Sequence, residues 1–312
     1  MNKPKIVIYL ANPRGFCAGV ERAVEIVELA LQKYGTPVYV RHEIVHNKFV
    51  IEQLRHKGAI FVNEIDEIPI GAITIFSAHG VSKYVEGEAK KRKLQVIDAT
   101  CPLVKKVHLQ TQVFAKESYK IILIGYKNHP EAIGTSGRIK QEIFIVENEL
   151  DVKKIPYNKT EEIAYVTQTT LSVDKTSLII SKLKERYPNI VGPNTDDICY
   201  ATQNRQDAVK NMLSLVDKIL VIGATNSSNS NSLHNTSLKY NINSHLITTA
   251  SEVTPDILFS VKKLGITAGA STPDELVEQV ITRIEELYEV HIQELPGFVE
   301  KVKFKVPKSL LT

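Results

Sequence analysis

The chain has 312 residues, of which 43% are hydrophobic and 24% are charged. This length and composition are typical of a soluble protein with two or three domains, each able to bury a core. The net charge of +4 is too small and too dispersed to predict a nucleic-acid partner, although it suits a small anionic substrate. No apolar run approaches the roughly 18 residues of a membrane-spanning helix, so we expect no membrane partner.

The start of the chain and its cysteine count predict where the protein works. The N-terminus leads directly into a predicted strand, and we expect no signal or transit peptide. Three cysteines, an odd number, argue against a disulfide framework and for a reducing compartment. We therefore expect a cytoplasmic protein.

The three cysteines occur in one kind of place. Lys5–Leu10 is a β-branched run that predicts a buried strand, Ala18–Lys33 has apolar residues at helical spacing, and Cys17 lies between them. Cys101 also lies between a predicted strand and a helix, and Cys199 opens a helix. Unpaired backbone N–H groups and the helix dipole favour a thiolate there. A free cysteine is ordinarily a small buried residue, but three matching contexts predict a shared role.

Each cysteine begins a repeat of helix, strand, polar segment, helix, strand, polar segment and helix. Alternating strands and helices predict parallel sheets, and such sheets place binding sites outside the carboxyl ends of their strands. The first polar segments contain His46, His129 and Ser227, which lie 29, 28 and 28 residues after their cysteines. The second contain His79, Thr169 and Ser271, which lie 62, 68 and 72 residues after them.

The repeat predicts an α/β fold with three pseudo-repeated α/β domains. Each domain would have a small parallel sheet, and the three would be arranged around a central cavity. The expected domains are 14–97, 98–195 and 196–284, with 1–13 and 285–312 packing on the third. The strand before each cysteine is compatible with pairing in its own unit or in the preceding one.

Three thiolates from distant parts of the chain suit a metal centre better than a redox disulfide, which needs only two. Structural zinc sites usually use close-spaced ligand pairs and four protein ligands, and the sequence has no Cys-x-x-Cys. A [4Fe–4S] cluster normally takes four cysteines, so three would leave one iron open to a substrate. The residues by themselves leave both zinc and an iron–sulfur cluster open.

Histidines, hydroxyls and amides gather in the polar segments that follow the strands. Together with backbone N–H groups at helix starts, such groups form anion sites, and a diphosphate suits this lining. The phosphate-binding loops of ATP and dinucleotide enzymes do not occur in the sequence. Glu131 is the one carboxylate at a polar segment of the middle unit. It is suited to deliver protons in a water-poor pocket or, alternatively, to stabilise the start of a helix.

Nine segments in order carry the positions singled out above. They are Ala11–Val20, Val40–Asn47, Phe76–Ser82, Asp98–Val104, His129–Glu131, Gln168–Asp174, Asp197–Thr202, Asn226–Asn231 and Thr267–Ser271. Together they resemble the 4-hydroxy-3-methylbut-2-enyl diphosphate reductases, the last enzymes of the methylerythritol phosphate route to isoprenoids. The resemblance runs from residue 5 to about residue 307.

The resemblance implies an oxidoreductase with one [4Fe–4S] cluster per chain, held by Cys17, Cys101 and Cys199. It implies Glu131, Thr169 and His129 as catalytic residues, with Thr169 and Glu131 facing the substrate hydroxyl. The residues implied to bind the substrate, mainly through its diphosphate, are His46, His79, His129, Thr169, Ser227, Ser228, Asn229 and Ser271.

The reaction implied by the resemblance is a reductive dehydroxylation. 4-Hydroxy-3-methylbut-2-enyl diphosphate would lose its hydroxyl as water at the open iron, and isopentenyl and dimethylallyl diphosphate would form. Two electrons would come from a ferredoxin or flavodoxin-type donor. Two other functions would use three thiolates: a cluster-bearing hydro-lyase without net electron transfer, and a non-catalytic zinc or iron sensor.

Overall fold

The computed structural model describes residues 3–194 and 196–311. It is an α/β structure with three small sheets whose strands are all paired in parallel, which confirms the predicted fold class. The chain divides into two compact units. The five-stranded unit contains the residues up to Cys17, His46–Lys48 and Tyr200–Val302. The two-sheet unit contains Ala18–Val45, Phe49–Cys199 and the chain from Lys303 on.

Twelve strands occur among the described residues. In chain order they are β1 (Lys5–Leu10), β2 (Val38–Arg41), β3 (Ala59–Val62), β4 (Ile73–Phe76), β5 (Gln95–Asp98), β6 (Lys120–Ile124), β7 (Phe144–Val146), β8 (Ile163–Thr167), β9 (Lys218–Ile222), β10 (Asn243–Ile247), β11 (Lys263–Ala268) and β12 (Glu289–Glu294).

The same part of the chain contains nine α-helices. They are α1 (Ala18–Tyr34), α2 (Lys48–His56), α3 (Lys83–Lys91), α4 (Pro102–Lys116), α5 (Pro130–Ser136), α6 (Val173–Arg186), α7 (Tyr200–Met212), α8 (Ser228–Lys239) and α9 (Asp274–Leu287). None of these helices is long and apolar enough to cross a membrane.

The three sheets repeat one strand order. The five-stranded sheet runs β10-β9-β11-β1-β12, and the sheets of the other unit run β3-β2-β4-β5 and β7-β6-β8. In each sheet, the strand after the cysteine's helix (β2, β6 or β9) has two neighbours. One is a short edge strand (β3, β7 or β10), and the other is the strand after that in the chain (β4, β8 or β11). All residues of β8 and β9 are buried, as expected for parallel strands covered on both faces.

The segment that precedes each cysteine pairs with the sheet of the preceding repeat, the third repeat being the one before Cys17. Before Cys17, β1 pairs with β11 and β12. Before Cys101, β5 pairs with β4. Before Cys199, Val191 forms a parallel bridge with Ala164 in β8. The backbone before each cysteine is therefore held by the sheet of the preceding repeat and not by that of its own repeat.

The C-terminal segment differs from the expectation that all of 285–312 packs on the third repeat. Only β12 joins that repeat's sheet, through β1. From Lys303 on, the chain lies in the two-sheet unit, where Arg22 and Lys33 of α1 donate hydrogen bonds to the carbonyl oxygens of Lys305 and Ser309. The three domain boundaries stay a prediction, and the one at Thr195 lies outside the described residues, as do the chain ends Met1 and Thr312.

Candidate functional site

Each cysteine lies at the start of a helix. Its backbone N–H is bound by a loop that follows β11, β4 or β8. Cys17, Cys101 and Cys199 directly precede α1, α4 and α7, and all three are half-buried and form no disulfide. Their N–H groups donate to the carbonyl oxygens of Ala270 at 3.1 Å, Ala78 at 3.0 Å and Thr169 at 3.0 Å, respectively. The threefold repeat of the sequence is thus also a repeat of hydrogen bonding.

Two predicted histidines meet in the two-sheet unit. The rings of His79 and His129 pack edge to face, with centroids 5.7 Å apart and an interplanar angle of 85°. The Nδ1 atom of His79 lies 3.4 Å from the hydroxyl of Ser77. The residue before His79 is Ala78, whose carbonyl accepts the Cys101 N–H, so the loop that carries His79 also binds the backbone of Cys101.

His129 also caps α5. Its Nδ1 accepts the backbone N–H of Glu131 at 3.2 Å, which means that a proton on a neutral ring resides at Nε2. Pro130 follows at the first helical position, where its missing N–H costs no hydrogen bond. The cap fixes the ring and leaves Nε2 as its donor.

Glu131 is a buried carboxylate bound by Thr169. One carboxylate oxygen accepts the Thr169 N–H at 2.6 Å, and the other accepts the Thr169 hydroxyl at 3.1 Å. Burial raises the pKa of Glu131 to about 7; the two hydrogen bonds oppose this shift, and the charge of Asp197 adds to it. A carboxyl group with this pKa exchanges its proton near neutral pH, which is the property required of a general acid.

Thr169 connects the acid to a cysteine. Its N–H and hydroxyl bind Glu131, while its carbonyl accepts the Cys199 N–H. Six predicted site residues of the two-sheet unit are therefore linked by contacts or adjacency: Cys101, His79, His129, Glu131, Thr169 and Cys199.

The remaining predicted residues lie in the five-stranded unit. Ser227 caps α8 by accepting the Ser230 N–H at 3.3 Å, and Ser228 and Asn229 form the first turn. All three are at most 6% exposed. The Asn229 side-chain oxygen accepts the Ala270 N–H at 2.8 Å, and the Ala270 carbonyl accepts the Cys17 N–H. The polar start of α8, a position that favours anions, is therefore linked to Cys17 through Asn229 and Ala270.

His46 and Ser271 also meet in this unit. The Ser271 hydroxyl donates to the His46 carbonyl oxygen at 3.0 Å, and the Asn226 amide nitrogen lies 3.4 Å from the Nδ1 atom of His46. The set in this unit therefore comprises Cys17, His46, Ser227, Ser228, Asn229 and Ser271. Its donors are hydroxyl, amide and imidazole groups, which is the chemistry that binds phosphate oxygens.

The chemistry of the cysteine donor set fits an iron–sulfur group. In the described part of the chain, no group of three or more His, Cys, Asp or Glu side chains could hold one metal ion. The fit to a cluster rests on the chemistry of the donors, since three unbridged thiols at helix starts are the ligands that iron–sulfur clusters take.

Comparison with known proteins yields one family. The family model described as LytB protein matches residues 8–285. A 4-hydroxy-3-methylbut-2-enyl diphosphate reductase of Azoarcus sp. (strain BH72) is 52% identical over 303 residues, or 97% of either chain. The enzyme of that name from Haemophilus influenzae (strain PittGG) is 52% identical over 306 residues, or 97% of this chain and 98% of the relative.

Two solved structures of reductases are also similar to this chain. The E-1-hydroxy-2-methyl-but-2-enyl-4-diphosphate reductase from Plasmodium falciparum superposes with a TM-score of 0.92 at 42% identity, covering 100% of this chain and 98% of that one. A structure described as (E)-4-hydroxy-3-methyl-but-2-enyl diphosphate reductase, the terminal enzyme of the non-mevalonate pathway, has a TM-score of 0.64 at 35% identity. That match covers 90% of this chain and 99% of the other.

Proposed function

The chain belongs to the LytB family of 4-hydroxy-3-methylbut-2-enyl diphosphate reductases, and from this premise we propose the reaction that it catalyses. 4-Hydroxy-3-methylbut-2-enyl diphosphate takes up two electrons and two protons, its C–O bond breaks, and water leaves. Isopentenyl and dimethylallyl diphosphate are the products. This is the terminal step of the non-mevalonate pathway, also called the methylerythritol phosphate pathway.

The observation that carries the proposal is the buried pair of Glu131 and Thr169. Glu131 has a pKa of about 7 and therefore holds a proton that it can release near neutral pH. The Thr169 hydroxyl binds the carboxylate at 3.1 Å, so it is suited to pass this proton to a substrate hydroxyl. Protonation turns a poor leaving group into water, and a positioned acid contributes roughly 10²- to 10⁴-fold to such a step.

Cys17, Cys101 and Cys199 are the proposed ligands of one [4Fe–4S] cluster per chain. When bound, the cluster supplies one iron with an open position, acting as a Lewis acid for the hydroxyl, and transfers electrons one at a time. The chain's own contribution is to hold each thiol at a helix start through its backbone N–H.

The diphosphate is proposed to bind hydroxyl, amide and imidazole groups of the predicted site residues. Ser227 and Ser228 supply hydroxyls at the start of α8, where backbone N–H groups also favour anions. In the other unit, the capping bond of His129 leaves its Nε2 as the donor, a role that suits a phosphate oxygen. The other residues in this proposed role are His46, His79, Asn229 and Ser271. Binding energy at the diphosphate would position the allylic hydroxyl.

The electrons are proposed to come from a ferredoxin or flavodoxin-type protein, and the enzyme is proposed to work in the cytoplasm. Both statements rest on the family resemblance and, for the compartment, on the three cysteines. Cysteines without disulfides are typical of a reducing environment.

Anaerobic purification followed by a direct assay tests the function. We expect a brown protein with about four irons per chain that converts the substrate only when a reductant is present. The Cys17→Ser, Cys101→Ser and Cys199→Ser variants should each lose iron. Turnover without a reductant would identify a hydro-lyase instead, and a colourless protein with bound zinc would identify a sensor.

A further inference from the structure

Each helix that follows a cysteine carries a cation that binds the backbone just before one of the other two cysteines. Arg22 of α1 binds the segment before Cys101, Lys106 of α4 binds the segment before Cys199, and Arg205 of α7 binds the segment before Cys17. We call these three residues the clamp cations. The threefold repeat therefore includes equivalent hydrogen bonds from side chains to the backbone before each cysteine.

Arg22 makes its contacts through all three guanidinium nitrogens. Nη1 donates to the carbonyl oxygens of Ala99 and Thr100, both at 3.2 Å, and Nη2 lies 3.5 Å from that of Asp98. Nε donates to the Lys305 carbonyl at 2.8 Å. The Thr100 carbonyl belongs to the peptide group that Cys101 completes, so the guanidinium is held beside this cysteine.

The other two clamp cations have carboxylate partners. Arg205 donates to the carbonyl oxygens of Gly15 and Phe16, both at 2.9 Å, and forms an ion pair with Glu300 at 3.0 Å. Lys106 donates to the Asp196 carbonyl at 2.8 Å and lies 3.6 Å from a carboxylate oxygen of Asp197. Their positive charges are therefore balanced within the protein.

Arg22 differs because no carboxylate within the described residues lies at ion-pair distance from it. The residue is 7% exposed, and its hydrogen-bond partners are four carbonyl oxygens. Asp98, the carboxylate nearest in sequence to these carbonyls, forms its own ion pair with Lys105 at 2.6 Å. Asp98 and Cys101 interact electrostatically with the guanidinium from beyond ion-pair distance. Because a buried cation is costly without negative charge nearby, the site favours an anion close to Cys101.

We propose that Arg22 is a positioning residue that supplies the counter-charge to the anionic iron–sulfur site at Cys101 and raises its reduction potential. A fixed positive charge stabilises the state with one more electron, because the attraction grows when negative charge is added in a buried environment. The inference rests on the proposed function, since it assigns the cluster to the three cysteines. It adds a residue that binds neither substrate nor iron.

The test compares the midpoint potential of the cluster in three variants with that of the unsubstituted protein. Arg22→Gln removes the charge and keeps hydrogen-bond donors, whereas Arg22→Lys keeps the charge and loses the forked geometry. Lys33→Gln is the matched control: it removes a cation from the same helix, also bonded to a carbonyl of the C-terminal segment, about 16 Å farther along the helix axis. Dithionite titration followed by absorbance gives each potential.

We expect a more negative potential for Arg22→Gln, with the potentials of Arg22→Lys and Lys33→Gln close to that of the unsubstituted protein. Equal potentials for Arg22→Gln and Lys33→Gln would overturn the proposal, as would an equal shift in both Arg22 variants. If Arg22→Gln binds no cluster, the iron content of Arg22→Lys decides: full content supports the counter-charge, and equal loss shows a purely structural clamp. An unsubstituted protein without a cluster, or with a cluster but no reductase activity, would instead contradict the proposed function.

Discussion

Thr169 binds both oxygens of the Glu131 carboxylate, one through its N–H at 2.6 Å and one through its hydroxyl at 3.1 Å. The pair is buried, and Glu131 is only 2% exposed. The side chain is therefore held in one orientation while desolvation keeps its proton exchangeable near neutral pH. Position and pKa are set by the same environment.

Replacing Glu131 by Gln should remove most turnover and leave the cluster in place. The amide can still accept the Thr169 N–H but has no acidic proton, so we expect a loss of about 100-fold or more in kcat. Iron content and the absorption spectrum serve as controls for the site. A Glu131→Gln enzyme with full activity would exclude Glu131 as the acid.

The same substitution should change how stability depends on pH. The pKa of Glu131 is raised to about 7 in the folded protein from its ordinary value of 4.5, so the folded state keeps a proton that the unfolded state loses. Between these values the unfolding free energy of the unsubstituted protein falls as pH rises. Relative to it, Glu131→Gln should gain about 3 kcal/mol between pH 4 and pH 8. Urea unfolding at both pH values measures this, and a pH-independent difference would contradict it.

Ser227→Ala should affect both stability and substrate binding, because Ser227 caps α8 and is proposed to bind the diphosphate. Ser172→Ala is the matched control, because Ser172 caps α6 with a similar hydrogen bond. The Ser172 hydroxyl accepts the Lys175 N–H at 3.4 Å, and the Ser227 hydroxyl accepts the Ser230 N–H at 3.3 Å. Each should cost about 1 kcal/mol of stability. We expect only Ser227→Ala to raise KM, by roughly tenfold or more. Equal KM values would remove Ser227 from the binding site.

Gly80→Ala should disturb the loop that carries His79. Gly80 has a φ of +77°, and a Cβ there would lie 2.6 Å from Cε1 of the buried His108. Gly71 has a φ of +80° with nothing within 4 Å of its Cβ position, so Gly71→Ala measures the backbone strain by itself, about 1 kcal/mol. We expect Gly80→Ala to cost about 1–3 kcal/mol more and to raise KM, with thermal unfolding and steady-state kinetics as the measurements. Equal costs would show that His108 moves aside freely.

The strands before Cys17 and Cys101 could be predicted from their β-branched residues, and the strand Lys5–Leu10 has the same bounds in the structure. The edge strands β3, β7 and β10 were missed. They have three to five residues and are partly exposed, and β10 contains Asn243, Ser244 and His245 among its five residues. Such strands are formed by pairing with a neighbour, and their own composition does not signal them.

The clamp cations were missed for a different reason. Their partners before the cysteines lie 76 to 190 residues away in the sequence. The acceptors are backbone carbonyls, which no residue pattern reveals. One signal was present: Arg22 and Lys106 each lie five residues after a cysteine, and Arg205 lies six after Cys199. The contact between Glu131 and Thr169 was expected only from the family resemblance, because position along the chain does not show which loops meet.

The placement of β1 between β11 and β12 limits the order in which the protein can fold as it leaves the ribosome. The N-terminal strand is made first, but its two neighbours, Lys263–Ala268 and Glu289–Glu294, are among the last segments to emerge. Until then β1 has no sheet to join, and the loop that holds the Cys17 N–H does not exist. Assembly of the proposed cluster through all three cysteines therefore has to wait until these segments have emerged, so newly made protein passes through a stage in which β1 is unpaired.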